Sequence, residues 1–290
     1  MNERNINRRT FLEETALIGA ALSAMRAEKV GAGEETREAL PQIQLGNLKI
    51  SRLILGSNPF FGFSHRNSAT DAVMKAFYQD EQIIRVLEQA AEWGITAVAA
   101  PPYPRWINLY TSYRQKGGKL GIWIAQPDTA PEEMKAAITD AAKGGAAAIF
   151  IQGEKIDTQV QAGKWEVIRE WIEIIKEHNL PAGMASHRPD VHLEAEKRKI
   201  PTDFYFQCFF QPDKFLDEDR VKAVAAIRQI EKPVVGYKIL AAGRIKPEEG
   251  FAYAFKHLRR KDGVCVGVYI QEKEAMIREN TTITRKLSIL

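Results

Sequence analysis

From residue 42 onward the chain switches its period repeatedly, from a short continuous apolar run to a longer amphipathic stretch and back. The apolar runs are Leu53–Gly56, Ala97–Ala100, Leu120–Ala125, Ala147–Ile151, Ala182–Ala185, Phe204–Phe209, Val234–Leu240 and Val264–Val268. Between them, stretches such as Glu81–Trp93, with Ile83, Ile84, Leu87 and Ala91 on one face, read as helices. The others are Trp106–Lys116, Pro131–Lys143, Lys164–His178, Pro189–Lys197, Asp217–Ile230, Pro247–Arg259 and Lys273 onward. Strands that are apolar along their whole length, rather than alternately, are buried on both faces, and parallel sheets produce that pattern. Eight such units predict an α/β protein, a (β/α)8 TIM barrel. The alternative, an open doubly wound sheet, should carry a glycine-rich fingerprint after its first strand, and none follows Gly56. Ahead of the first strand, the alternating residues on either side of Gly46-Asn47 predict an N-terminal β-hairpin that plugs the bottom of the barrel.

A barrel of this kind takes about 250 residues, so a chain of 290 has a surplus of roughly 40. The surplus lies at the N-terminus. Asn7-Arg8-Arg9-Thr10-Phe11-Leu12 and the small, weakly apolar run Ala16–Ala24 resemble a twin-arginine export signal. The run is too short to span a bilayer. An amphipathic N-terminal helix is the alternative, and Glu13 and Glu14 count for it. The expected organisation is a signal peptide over 1–30, a polar linker over 31–41 and the barrel over 42–290. The expected partner is the twin-arginine (Tat) export machinery, the expected location the periplasm or another exported compartment, with no stable membrane anchor after cleavage.

The formal net charge is +4, with acidic and basic residues interspersed, which gives no basic stripe for nucleic acid or an anionic membrane. Cys208 and Cys265 lie far apart in apolar runs, with neither zinc nor disulfide spacing, and read as buried small side chains.

Active sites of (β/α)8 barrels lie at the C-terminal ends of the strands. That rule selects Ser57, Asn58, Tyr103, Gln126, Gln152, Glu154, Ser186, His187, Gln207, Tyr237, Lys238 and Tyr269. His65 and the aromatic residues of the first loop, Asn58–Asn67, have the mixture of a substrate-binding lip, and a self-packed loop is the competing reading.

The hairpin with Ile50-Ser51-Arg52-Leu53-Ile54-Leu55-Gly56, together with Gly94-Ile95-Thr96, Gly183-Met184-Ala185-Ser186 and Ile277-Arg278-Glu279-Asn280, resembles the aldo-keto reductase superfamily over residues 42–283. The resemblance implies hydride transfer from a nicotinamide cofactor, with an Asp–Tyr–Lys–His tetrad in which tyrosine donates the proton. Ala99 or Ala100 stands where the aspartate is implied, Gln126 where the lysine is, and Gln152 in the segment of the histidine. Only Tyr103 is available as the tyrosine. An unperturbed tyrosine, with a pKa of about 10, is a poor proton donor near neutral pH, so the usual reductase mechanism is not expected. On the cofactor side the resemblance places Ser186 and Gln207 at the carboxamide and Tyr237 against the nicotinamide ring. His187 replaces the usual asparagine. Ile270, Gln271 and Met276 occupy the places of groups that grip a 2′-phosphate, and Arg244 and Arg278 are the nearest cations. Arg244, after the small residues Gly236 and Ala241–Gly243, is a candidate clamp for an anionic or polyhydroxyl ligand.

His187, Lys238 and Glu154 converge on one mouth if the barrel forms, giving an acid/base pair and a cation for an oxyanion. They suit proton abstraction beside a carbonyl, as in epimerisation or β-elimination of a sugar-like ketone. The competing readings are an NAD(P)-dependent oxidoreductase using Ser186, Gln207, Tyr237 and Arg244, with Tyr103 as donor, and a binding protein without turnover. Asn58, His65, Gln126 and Gln152 are the candidate substrate contacts. His65, Glu154, His187 and His192 show no metal-ligand spacing, so no metal is expected.

Overall fold

Apolar residues at every position of a strand leave it no solvent face, and these strands satisfy both faces by closing on themselves. In the computed structural model, which describes residues 39–288 except Asp213, eight parallel strands form a closed barrel. They are β3 (Leu53–Gly56), β4 (Ala97–Ala100), β5 (Ile122–Ala125), β6 (Ala148–Ile151), β7 (Ala182–Ser186), β8 (Phe204–Cys208), β9 (Val234–Tyr237) and β10 (Gly263–Gly267). They pair in chain order, and β10 closes the ring on β3. Around them run α1 (Ser68–Phe77), α2 (Asp80–Glu92), α3 (Pro104–Gln115), α4 (Met134–Lys143) and α5 (Gly153–Gln161). The layer continues with α6 (Trp165–Glu177), α7 (Pro189–Lys197), α8 (Asp217–Ile227), α9 (Pro247–His257) and α10 (Met276–Ser288). No helix among the described residues is long and apolar enough to cross a membrane.

The eight apolar runs are all strands, with ends displaced by a few residues. The largest difference is at Val234–Leu240, where the strand stops at Tyr237 because Lys238 takes a left-handed backbone with φ of 57°. Two helices were not anticipated from the periodicity. α1 begins where the Asn67 side chain accepts from the Thr70 amide at 2.8 Å, and α5 begins where the Gln152 side chain accepts from the Lys155 amide at 3.2 Å. The export signal expected over 1–30 and most of the linker expected over 31–41 lie outside the described residues. The end of that linker is packed: Leu40 is buried, and the Pro41 carbonyl accepts from the Arg52 amide at 2.7 Å.

Strand alternation separates two apolar layers. Ile54, Ala97, Ala99, Ile124, Ala148, Phe150, Ala185, Phe204, Phe206 and Val235 fill the lumen, where Phe150 stacks on Phe206 at 3.9 Å. The remaining strand positions pack outward against the helices. β1 (Gln42–Leu45) and β2 (Leu48–Ser51) form the hairpin, pairing antiparallel with Ile43 opposite Ile50. Ile43, Leu45 and Ile50 join the lumen cluster, while Gly46 of the turn abuts Pro181 and Asp203, just before β7 and β8. The hairpin therefore closes the end where the strands begin, and the other end is left for chemistry.

A buried polar pair lies in the outward layer. His192 of α7, fully buried, faces Gln207 of β8, with Nδ1 2.8 Å from Oε1, and its ring lies 4.7 Å from that of Tyr205. The Gln207 amide nitrogen donates to the Cys208 carbonyl, so Oε1 is the accepting end and His192 Nδ1 carries the hydrogen. Nε2 is left without a partner among the described residues. Burial lowers the His192 pKa from 6.5 to about 4. The unfolded chain then binds the extra proton first as pH falls. Stability should decline between about pH 6.5 and pH 4 by about 3 kcal/mol from this residue. Urea midpoints measured across that range should show the decline, and His192→Asn, which keeps a donor for Gln207 but does not titrate, should flatten it.

Candidate active site at the C-terminal mouth

At the mouth, α5 starts directly after β6 and carries Asp157 back over the end of β7. Asp157 Oδ1 accepts from the Ser186 hydroxyl at 2.5 Å, and Oδ2 accepts from the His187 amide at 3.1 Å and meets His187 Nδ1 at 2.9 Å. The carboxylate oxygen accepts in this contact, so Nδ1 carries a ring hydrogen and Nε2 is the ring nitrogen left for another partner. The side chains of His187 and Asp157 are 19% and 18% exposed, enough for a small molecule to reach the ring. A carboxylate thus fixes the orientation of the imidazole, the arrangement that acid/base catalysis requires.

Tyr237 stands beside this pair at the top of the lumen. Its ring centroid is 6.1 Å from that of His187, and its hydroxyl donates to the Ser186 carbonyl at 3.1 Å. Burial, followed by the neighbouring Cys208 and Asp157, pushes its phenol well above the usual tyrosine value. The Lys238 ammonium lies 5.8 Å from the Tyr237 ring centroid. Gly153, first residue of α5, makes this closeness possible. A Cβ there would sit 3.1 Å from the Tyr237 hydroxyl and 3.3 Å from His187 Cε1. Cys208 and Cys265 flank Tyr237 in register on β8 and β10, and burial pushes both thiols up to about 12, which makes them inert.

His187, Tyr237 and Ser186 meet at the mouth, with the Lys238 ammonium beside the Tyr237 ring, whereas the sequence suggested that His187, Lys238 and Glu154 converge. Glu154 is placed differently: its side chain is exposed on the first turn of α5, and the carboxylate that reaches the imidazole belongs to Asp157, three residues on. Gln207 faces away from the mouth into the layer beneath α7, with both polar atoms bonded. Gln152 caps α5. Gln126 continues the lumen-facing column of Ile122 and Ile124, half-buried and without a hydrogen bond to its side chain among the described residues. On the far side of the mouth, Asn58 Nδ2 lies 3.3 Å from His65 Nε2. Arg244 is not free to clamp a ligand: it donates to the His65 and Ala241 carbonyls and lies 4.0 Å over the Phe215 ring. The space beside Gly236 is filled by the Phe209 ring, so no ligand approaches the backbone there. No group of three or more His, Cys, Asp or Glu is placed to hold a metal among the described residues.

Tyr103 donates to Asp128 Oδ2 at 2.5 Å. Burial and the Asp128 carboxylate raise its pKa, which makes the phenol a weaker acid. A phenol used as a proton donor near neutral pH needs the opposite shift, from a nearby cation.

No family model matches the chain, and no curated protein matches it in sequence. Solved structures do resemble it. Two from Pseudomonas aeruginosa, both bearing the aldo-keto reductase label, align with TM-scores of 0.62 and 0.60 at 12% and 14% identity, each over 88% of this chain and 99% of the other. A truncated 3-deoxy-D-arabino-heptulosonate 7-phosphate synthase from Thermotoga maritima aligns at 0.54, with 12% identity, over 87% of this chain and 92% of its own. The likeness is one of fold. The residues that would serve a nicotinamide do not fit one: the Ser186 hydroxyl is held by Asp157 and the Arg188 amide, and Gln207 is buried against His192.

Asp157 is therefore expected to be structural as well as chemical. Asp157→Ala leaves the His187 amide without its acceptor and the Ser186 hydroxyl with the Arg188 carbonyl alone, and should destabilise the protein by about 2 kcal/mol, read from chemical denaturation. Glu154→Ala, on the same helix but exposed, should change stability by less than about 0.5 kcal/mol.

Proposed function

We propose that this chain is an acid/base enzyme acting on a small oxygenated molecule, sugar-like or carbonyl-bearing, at the C-terminal mouth of its barrel. The observation that carries the reading is the 2.9 Å contact of Asp157 Oδ2 with His187 Nδ1, which leaves Nε2 as the base. In the proposed reaction, Nε2 removes a proton from the carbon next to a carbonyl. Asp157 stabilises the imidazolium that results, and the Lys238 ammonium offsets the charge growing on the substrate oxygen. Transfer of the abstracted proton from Nε2 to a departing β-hydroxyl, released as water, completes an elimination, whereas protonation of the other face by a solvent water, with the imidazolium returning its proton to solvent, gives epimerisation. In this reading Gln126 hydrogen-bonds a hydroxyl of the substrate.

Similarity of fold to barrels that bear the aldo-keto reductase label and to a sugar-phosphate synthase is consistent with a small-molecule substrate. The commitments of Ser186, Gln207 and Tyr103 weigh against hydride transfer. Incubation of the purified protein with a panel of ketoses and aldoses in deuterated water should show deuterium entering the α-carbon by NMR. His187→Ala should slow that exchange by about a hundredfold or more, and Asp157→Asn by a smaller factor. Exchange that survives His187→Ala unchanged would sink the assignment, and a saturable nicotinamide fluorescence titration would favour the oxidoreductase reading.

The export reading of residues 1–30 rests on the Arg8-Arg9 motif. Replacing both arginines with lysine should leave the precursor in the cytoplasm on cell fractionation, and unchanged secretion would overturn it.

A further inference from the structure

A second binding feature lies on the other flank of the mouth, where the first loop meets α1 and α3. Phe60, Phe61, Phe63, Lys75, Tyr103 and Arg105 line a cleft of about 260 Å³. Its walls are rings: Phe61 meets Tyr103 edge-on at 5.2 Å and lies 6.3 Å from Phe63. Phe63 is 43% exposed, so an aromatic face is offered to solvent at the opening. Because the Tyr103 hydroxyl is turned to Asp128, that residue brings its ring to the cleft.

The charges at the rim are unequal. Arg105 is balanced by Asp80 Oδ1 at 2.7 Å and also donates to the Tyr78 carbonyl. Lys75 has no ion pair among the described residues, which leaves the cleft with one uncompensated positive charge. Aromatic walls favour a flat apolar body, and the ammonium favours an anionic head. We propose that this cleft binds a single-ring aromatic carboxylate, with the ring against the exposed Phe63 and the Phe61–Tyr103 wall and the carboxylate at Lys75. The proposal rests on the cleft alone and is independent of the chemistry assigned to His187.

Phenylacetate and 2-phenylethanol share the ring and differ in the charge, so they separate the two contributions. Calorimetric titration of the full chain at low salt should show saturable binding of phenylacetate about fivefold tighter than the alcohol. Lys75→Gln should erase the difference and leave alcohol binding intact. Phe63→Ala should weaken both, and His187→Ala neither. Trp106 stacks behind the cleft, 6.4 Å from Phe60 and 6.3 Å from Phe61, so tryptophan fluorescence gives a second readout. Equal affinity for acid and alcohol, retention of the difference in Lys75→Gln, or no saturable binding of phenylacetate at millimolar concentration would each overturn the proposal. Circular dichroism of each variant separates loss of binding from loss of fold.

Discussion

A strand in a closed parallel barrel has no face turned to water, and everything polar in this protein is arranged around that constraint. The lumen is filled by Phe150, Phe204 and Phe206 among smaller residues, and the outward layer is largely apolar, with the His192–Gln207 pair set inside it. Groups that react or bind are thereby confined to the strand ends and the loops that follow them. With the hairpin packed under the lumen, the beginning of the strands is closed, and the loops after β3, β4, β5, β6, β7 and β9 supply the candidate chemistry.

Asp157 shows how a barrel places a polar group without burying a lone charge. It sits on a short helix inserted between β6 and the longer α6, and each of its oxygens accepts from the residues that end β7. Three hydrogen bonds to one carboxylate offset the loss of hydration that partial burial imposes. The same contacts join two adjacent strand–helix units, so the dyad also ties the mouth together. Arg244 and Arg66 do a similar task on the other side, bridging the first loop to the segment after β9 through the His65 and Ala242 carbonyls.

The barrel was legible in the sequence because a run buried on both faces differs in kind from an alternating one. The hairpin was legible because Gly46 takes the positive φ that the turn requires. That same continuous burial hid which way each strand residue points. Tyr205 and Gln207 read no differently from Phe204 and Phe206, yet one pair faces the helices and the other the lumen, so Gln207 was expected at the mouth. Asp157 was missed for another reason. The nine residues of α5 include Ile156, Thr158 and Val160, whose branched side chains weaken a helical signal, and the His187 contact spans 30 residues with no local spacing to announce it. Ile156 followed by Gln159 and Val160, behind a capping Gln152, was the signal available.

His187 is gripped by one carboxylate through both its main chain and its ring. A side chain anchored at two points has little rotational freedom left, so the entropy of aligning the imidazole was surrendered when the chain folded. If the mouth works as proposed, an arriving molecule meets an imidazole already held in place, and its own binding energy is free for selecting among shapes. Precision at this site is a property of the unliganded protein, and discrimination between molecules falls to the more open loops around it.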